Sequence, residues 1–148
     1  MVDNPIKELS ADEAWDRLGK AELGRIALSH EGQPDIYPVN YLCSDRRIIF
    51  RTAQGTKLYE LTANSHVAFE TDDHDADGGW SVVVKGTARV LESHREIEAA
   101  DTLPLRTWLP TLKYNYVEIS ADEITGREFT FGPEPERYTG EDLSLIHI

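Results

Sequence analysis

The sequence predicts a mainly β fold of the α+β class, an antiparallel barrel with short helices at its edges. Three observations predict it. About six segments carry the β-branched and aromatic enrichment, or the apolar–polar alternation, of strands. Only about three short segments read as helices. The two kinds do not alternate regularly, as a doubly wound parallel sheet would require, and no internal repeat is visible. A chain of 148 residues suits one domain with a real core.

Met1 to Leu9 is polar and acidic and lacks the pattern of a signal peptide. Ser10-Ala-Asp-Glu13 is a capping box, with Ser10 as N-cap and Glu13 reaching back. Ala14, Trp15 and Leu18 form the apolar face of the helix it opens, and Gly19 is expected to stop it. Leu23 to Ser29 reads as the first strand, Glu31-Gly32-Gln33-Pro34 as a turn, and Asp35 to Leu42 as the second strand. Pro38 cannot donate a ladder hydrogen bond, so it marks an edge or an irregularity, where freed backbone could face a ligand. Tyr37–Leu42 and Ile48–Thr52 flank a polar turn at Ser44, Asp45 and Arg46, the signature of a hairpin. A helix over Thr56–Thr62 follows, with Leu58 and Leu61 on its buried face.

His66 to Thr71 alternates as a further strand. In the acidic run Asp72 to Gly79, Asp73, Asp75, Asp77 and Gly78 fit the first half of a calcium-binding loop. Val84 stands where such a loop needs its bidentate Glu, and the flanks read as strands. A solvated hairpin loop is the better reading, and no metal site is expected. No histidine pair has a ligand spacing such as His-x-x-x-His. Trp80 to Val90 is the longest strand; its three consecutive valines suggest burial on both faces, and Gly86 a bend or bulge. Ser93-x-x-Glu96 opens a helix through Ala100, and a proline-punctuated connection runs from Leu103 to Pro110. Tyr114 to Ser120 is the last strand, extended after a turn by Ile124 to Phe129. Gly132-Pro133-Glu134-Pro135 then breaks structure. The expected domain is therefore 1–132, with 133–148 as a tail whose apolar end, Leu143 to Ile148, reads as a scar outside the fold.

The net charge of −12 argues against nonspecific nucleic-acid or acidic-membrane partners, and no run is long enough to span a membrane. The single cysteine, Cys43, excludes an internal disulfide framework and fits a reducing cytoplasm. No histidine lies near it in sequence, so it reads as a small buried strand-end residue rather than a nucleophile. Against this acidic background Arg46, Arg47, Arg51 and Lys57 gather beside one helix start, as if to hold an anion. Arg51 and Lys57 supply charge, Thr52 and Thr56 supply hydroxyls, and Gly55 allows close approach of backbone. A helix N-terminus with free N–H groups is a ready phosphate site. The same residues also read as an exposed strand arginine, a solvated first-turn lysine and an ordinary turn. No Gly-x-x-x-x-Gly-Lys-Ser/Thr is present, so this is not a P-loop.

Pro-Val-Asn-Tyr (38–41), Phe-Arg-Thr-Ala-x-Gly-x-Lys-Leu (50–58) and Trp-Ser-Val-Val-Val-x-Gly-x-Ala (80–88), in this order of elements, resemble the FMN-binding split-barrel superfamily. Within it, the chain is most similar to pyridoxamine 5′-phosphate oxidase-like proteins, from about Leu9 to Phe129. The resemblance implies a six-stranded antiparallel split β-barrel with short flanking helices, and a homodimer with flavin at the subunit interface. It places the cofactor phosphate on Arg51, Thr52, Thr56 and Lys57, with Gly55 in the turn. Pro38, Val39, Asn40 and Tyr41 would run along the flavin ring. Trp80 and Ser81 would approach the ring or its ribityl chain, and Trp108 would reach the flavin from the partner subunit. The implied function is an FMN-binding oxidoreductase moving hydride through the flavin for an unknown small molecule. A deazaflavin-dependent reductase and a non-catalytic flavin carrier are the alternatives within the fold. True pyridoxamine phosphate oxidases end in Arg-Leu-x-Pro at the substrate; here Glu-Pro-Glu-Arg-Tyr-Thr-Gly stands instead, which speaks against that substrate.

Overall fold

Apolar residues at alternate positions give each strand one face to bury, and the chain meets this demand by curling its strands around a single core. The computed structural model describes residues 4–105 and 115–134. In chain order its elements are β1 (Ile6–Leu9), α1 (Ala11–Lys20), β2 (Leu23–His30), β3 (Gln33–Ser44), β4 (Arg47–Thr52), α2 (Thr56–Ala63), β5 (His66–His74), β6 (Gly78–Val90), α3 (His94–Asp101) and β7 (Asn115–Thr130). The strands pair antiparallel in the order β1-β7-β4-β3-β2-β5-β6, and a further β7–β6 pairing closes six of them into a ring. The long β7 makes closure possible. Its first half lies between β4 and β6, and its second half between β1 and β6.

Ile26, Phe50, Phe69, Val82, Val84 and Ile119 are fully buried inside the ring, and Ala14 and Leu18 of α1 join them. A smaller cluster of Ile49, Leu91, Ala100 and Tyr116 includes residues of β4, β7 and α3. Both serine caps form: Ser10 accepts from Glu13 N at 3.2 Å and Ser93 from Glu96 N at 3.1 Å. Only α1 completes the reciprocal box, through Glu13 and the Ser10 N–H.

The bulge expected at Gly86 is present. Lys85 faces Glu123 and Gly86 faces Ala121, leaving Asp122 as the extra residue on β7. A Cβ on Gly86 would sit 2.0 Å from the Ser120 carbonyl oxygen, so the two backbones approach too closely for any side chain. The bulge also replaces the turn expected between two final segments; β7 runs through it unbroken.

Other boundaries differ from expectation. α1 runs through Gly19 to Lys20, and the extended backbone of Ala21 ends it. β1 was not anticipated, because Ile6-Lys-Glu-Leu9 gains its strand form from pairing with β7. β3 already begins at Gln33, since Glu31 and Gly32 alone make the turn with positive φ. The acidic run is mostly strand, and only 75–77 connect β5 to β6. There the Asp75 carboxylate accepts from the backbone N–H of Asp77 and Gly78. The three valines of β6 alternate after all: Val82 and Val84 are fully buried, whereas Val83 is half-buried on the outer face.

Candidate functional site

The junction between β4 and α2 combines two local rules. Strand alternation turns Ile48, Phe50 and Thr52 into the barrel and Arg51 outward, where its guanidinium lies 5.7 Å from the centre of the Tyr116 ring. The chain then passes through exposed Ala53, Gln54 and Gly55 into α2. Gly55 is the N-cap, with φ 156° and ψ −165°, and no side chain caps this helix. Its first turn carries no acidic residue, whereas α1 and α3 have serine caps and acidic first turns. The partial positive charge of the α2 N-terminus therefore meets no acidic residue in its own first turn.

Lys57 places its ammonium 5.4 Å from the Tyr37 ring centre and 5.9 Å from that of Phe50. Tyr37 in turn donates its hydroxyl to Glu60 Oε1 at 3.0 Å, and Glu60 is only 3 % exposed. Burial, followed by this bond to Glu60, raises the Tyr37 pKa above the ordinary tyrosine value. Thr52 is buried and donates to the Ala53 carbonyl at 3.2 Å, while Thr56 is exposed at the helix start. The wider cation cluster does not assemble. Arg46 pairs with Asp12, and Arg47 pairs with Glu118 at 3.2 Å, which leaves Arg51 and Lys57 as the cations of the junction.

On β3 the ring-side segment splits by parity. Val39 and Tyr41 point into the core; Tyr41 donates to the Leu18 carbonyl at 2.5 Å and meets Phe69 edge-on. Only the backbone of these two can face a ligand outside. Pro38 and Asn40 take the other face. Pro38 stands opposite Arg25, and β4 pairs with β3 only from Tyr41 onward. From Gln33 to Asn40 the second edge of β3 thus carries no strand among the described residues, as the proline suggested. Asn40 borders a cavity of about 280 Å³ shared with Lys20, Glu22, Cys43 and Pro104. Its Nδ2 is buried without a hydrogen-bond partner among the described residues.

Trp80 and Ser81 lie elsewhere. Trp80 faces Glu128 across β7, whereas Arg51 faces Tyr116. Those two β7 positions are separated by roughly 40 Å of strand path at about 3.3 Å per residue. Trp80 packs against the core, and Ser81 turns to the outer face beside Val83 and Arg127. Along β7 this pair is therefore far from the β4–α2 junction. Trp108 lies outside the described residues. The sequence reading missed Tyr116, Tyr37 and Glu60, which hold the two cations' surroundings; nothing in their spacing marks them.

Burial pushes the Cys43 thiol up to about 12, which leaves it a poor nucleophile. Among the described residues no three His, Cys, Asp or Glu side chains gather as metal ligands, and no helix is long and apolar enough to cross a membrane.

The pattern that defines the pyridoxamine 5′-phosphate oxidase family matches residues 10–128. The chain belongs to the pyridoxamine 5′-phosphate oxidase-like family. A Corynebacterium glutamicum structure named for that oxidase is 46 % identical, with TM-score 0.83, and covers 90 % of this chain and 100 % of its own. The split-barrel fold is thereby established. The FAD-binding protein of Mycobacterium smegmatis is 41 % identical, with TM-score 0.72, and the match covers 84 % of this chain and 98 % of that one. The uncharacterized protein Rv3129 of Mycobacterium tuberculosis is 48 % identical over 92 residues, which are 62 % of this chain and 84 % of the relative.

Proposed function

We propose that this chain is a flavin-dependent oxidoreductase that grips its cofactor by the phosphate at the β4–α2 junction. FMN is the smallest common flavin cofactor that carries a phosphate for such a site. The observation that carries the reading is the N-terminus of α2, which has no side-chain cap and no acidic residue in its first turn and is flanked by Arg51 and Lys57. Phosphate fits such a donor set: helix N–H groups, the exposed Thr56 hydroxyl and two cations, whereas Thr52 faces the barrel and donates to the Ala53 carbonyl. The buried, unpartnered Nδ2 of Asn40 supports a second contact, as a donor for a carbonyl oxygen of the flavin ring beside the open edge of β3. The FAD-binding relative supports a flavin generally, because FAD contains the same flavin, ribityl chain and phosphate.

Bound flavin would supply hydride transfer to or from a small molecule. The protein's own work is positional. Arg51, Thr56 and Lys57 neutralise and orient the phosphate; the β3 edge from Pro38 to Asn40 fixes the ring; Tyr37 and Glu60 hold the surroundings of Lys57. The distance of Trp80 and Ser81 from this junction along β7 supports a homodimer, in which a second copy completes each site. The single cysteine supports a cytoplasmic setting.

Comparing two ligands tests the reading. Riboflavin lacks the phosphate, so Arg51→Ala and Lys57→Ala should each weaken FMN binding about tenfold or more while changing riboflavin binding little. Fluorescence titration reads both. Parallel losses for the two ligands, or none, would sink the phosphate assignment.

A further inference from the structure

Alternation sends Ser81, Val83 and Lys85 of β6 to the outer face of the sheet, while Val82 and Val84 fill the core. In register the outer three stand across from Arg127, Thr125 and Glu123 of β7. Here β6 and β7 frame a cavity of about 490 Å³, which the phosphate reading leaves unused. Its volume is that of a small-molecule site, about 300–1,000 Å³. Val83 and Phe129 give it apolar walls, Ser81 and Thr125 give hydroxyls, and Lys85 and Arg127 give cations. Glu8 is the one carboxylate on its lining.

The chain has 27 acidic and 15 basic side chains, so its cations have carboxylates to spare. Arg17, Arg25, Arg46, Arg47 and Arg89 each pair with one. Lys85 and Arg127 pair with none among the described residues, although Glu123 faces the first in register and Glu8 the second. Two unpaired cations thus border one apolar-walled cavity on a chain of net charge −12. The Val83–Thr125 row lies midway between them, roughly 7 Å from each along the strands. Both side chains are long enough to reach over that row while their stems cover apolar surface.

We infer that this cavity binds a small organic anion, a carboxylate or phosphate head on an apolar body. Lys85 and Arg127 hold the head, with the Thr125 hydroxyl as a further donor, and Val83 and Phe129 take the body. Burial of the body supplies affinity that an inorganic anion lacks, and the cations discriminate against a neutral molecule of the same shape. The site stands independently of the flavin reading, since none of its residues belongs to the β4–α2 junction.

The test is calorimetric titration of octanoate and octyl phosphate, below their micellar concentrations, into the full chain. The controls are 1-octanol and inorganic phosphate. At least one octyl anion should bind at a single saturable site, about tenfold or more tightly than either control. Lys85→Ala and Arg127→Ala should each weaken that binding about tenfold, and Glu8→Gln should strengthen it by removing a competing carboxylate. All three positions are exposed, so the variants should fold, which a thermal melt verifies. Arg51→Ala should leave the affinity unchanged. No saturable binding of either octyl anion, equal binding of 1-octanol, or indifference to both Lys85→Ala and Arg127→Ala would overturn the site. A loss in Arg51→Ala would place the anion at the β4–α2 junction and overturn it equally.

Discussion

Cys43 illustrates how much a single side chain owes to its surroundings. Its thiol belongs to a strand that packs against the core, and burial alone lifts its pKa to about 12. A raised thiol pKa means that the folded state holds its proton more tightly than the unfolded chain, whose thiol titrates near 9.0. The associated stability is fully present below that value and is lost as pH climbs towards 12. The native protein at pH 8 should therefore react slowly with an aromatic disulfide reagent, and guanidinium should restore the rate of a free thiol. Fast labelling of the native state would refute the burial argument. Tyr41 is raised for the same first reason, and its hydroxyl also ties β3 to the last turn of α1. Tyr41→Phe leaves the Leu18 carbonyl without that donor and should cost about 1 kcal/mol in urea unfolding.

At the scale of elements, the three helix starts divide by charge. α1 and α3 are capped by Ser10 and Ser93 and carry acidic residues in their first turns; α2 has neither. Ser10→Ala and Ser93→Ala should each destabilise by about 1 kcal/mol. The carboxylates beside these caps add a pH signature. The Ser10 backbone N–H chiefly lowers the Glu13 pKa, and the hydrogen bond from Arg89 chiefly lowers that of Glu96. Depressed carboxylates contribute stability above the ordinary carboxylate range and lose it as pH falls through their folded values. Glu13→Gln should flatten the acid limb of a stability–pH profile, whereas an unchanged limb would show that the box is energetically idle. At the β6–β7 bulge, Gly86→Ala would force a Cβ against the Ser120 carbonyl and should cost about 1–3 kcal/mol or more. A thermal shift near zero would mean that the two strands separate easily there.

For the whole molecule, ring closure through β7 decides what one copy can and cannot do. It encloses one core but holds Trp80 and Ser81 far along β7 from Arg51. If a second copy completes the flavin site, sedimentation should show a dimer, and flavin affinity should fall as the protein is diluted below its dimer dissociation constant. A stable monomer that binds flavin tightly would remove the need for a partner.

The antiparallel β class, both serine caps, the hairpin around Asp45 and the special role of Gly86 were legible in the sequence, because each depends on a few neighbouring residues and a fixed period. So was the β4–α2 junction, where alternation and helix-end chemistry act within one short stretch. Three features required the fold. β1 becomes a strand only against β7, and the run from Ile124 to Phe129 joins Tyr116–Ser120 only because β6 accepts the bulge between them. The sharing of charge is also tertiary: Arg46 and Arg47 are claimed by Asp12 and Glu118, which are distant in sequence, so the apparent cation cluster shrinks to two members. Capping, turns and periodicity are set by the nearest few residues, and a sequence displays them. Strand partners, the direction a side chain faces and the counter-ion it finds depend on which distant segments closure brings alongside.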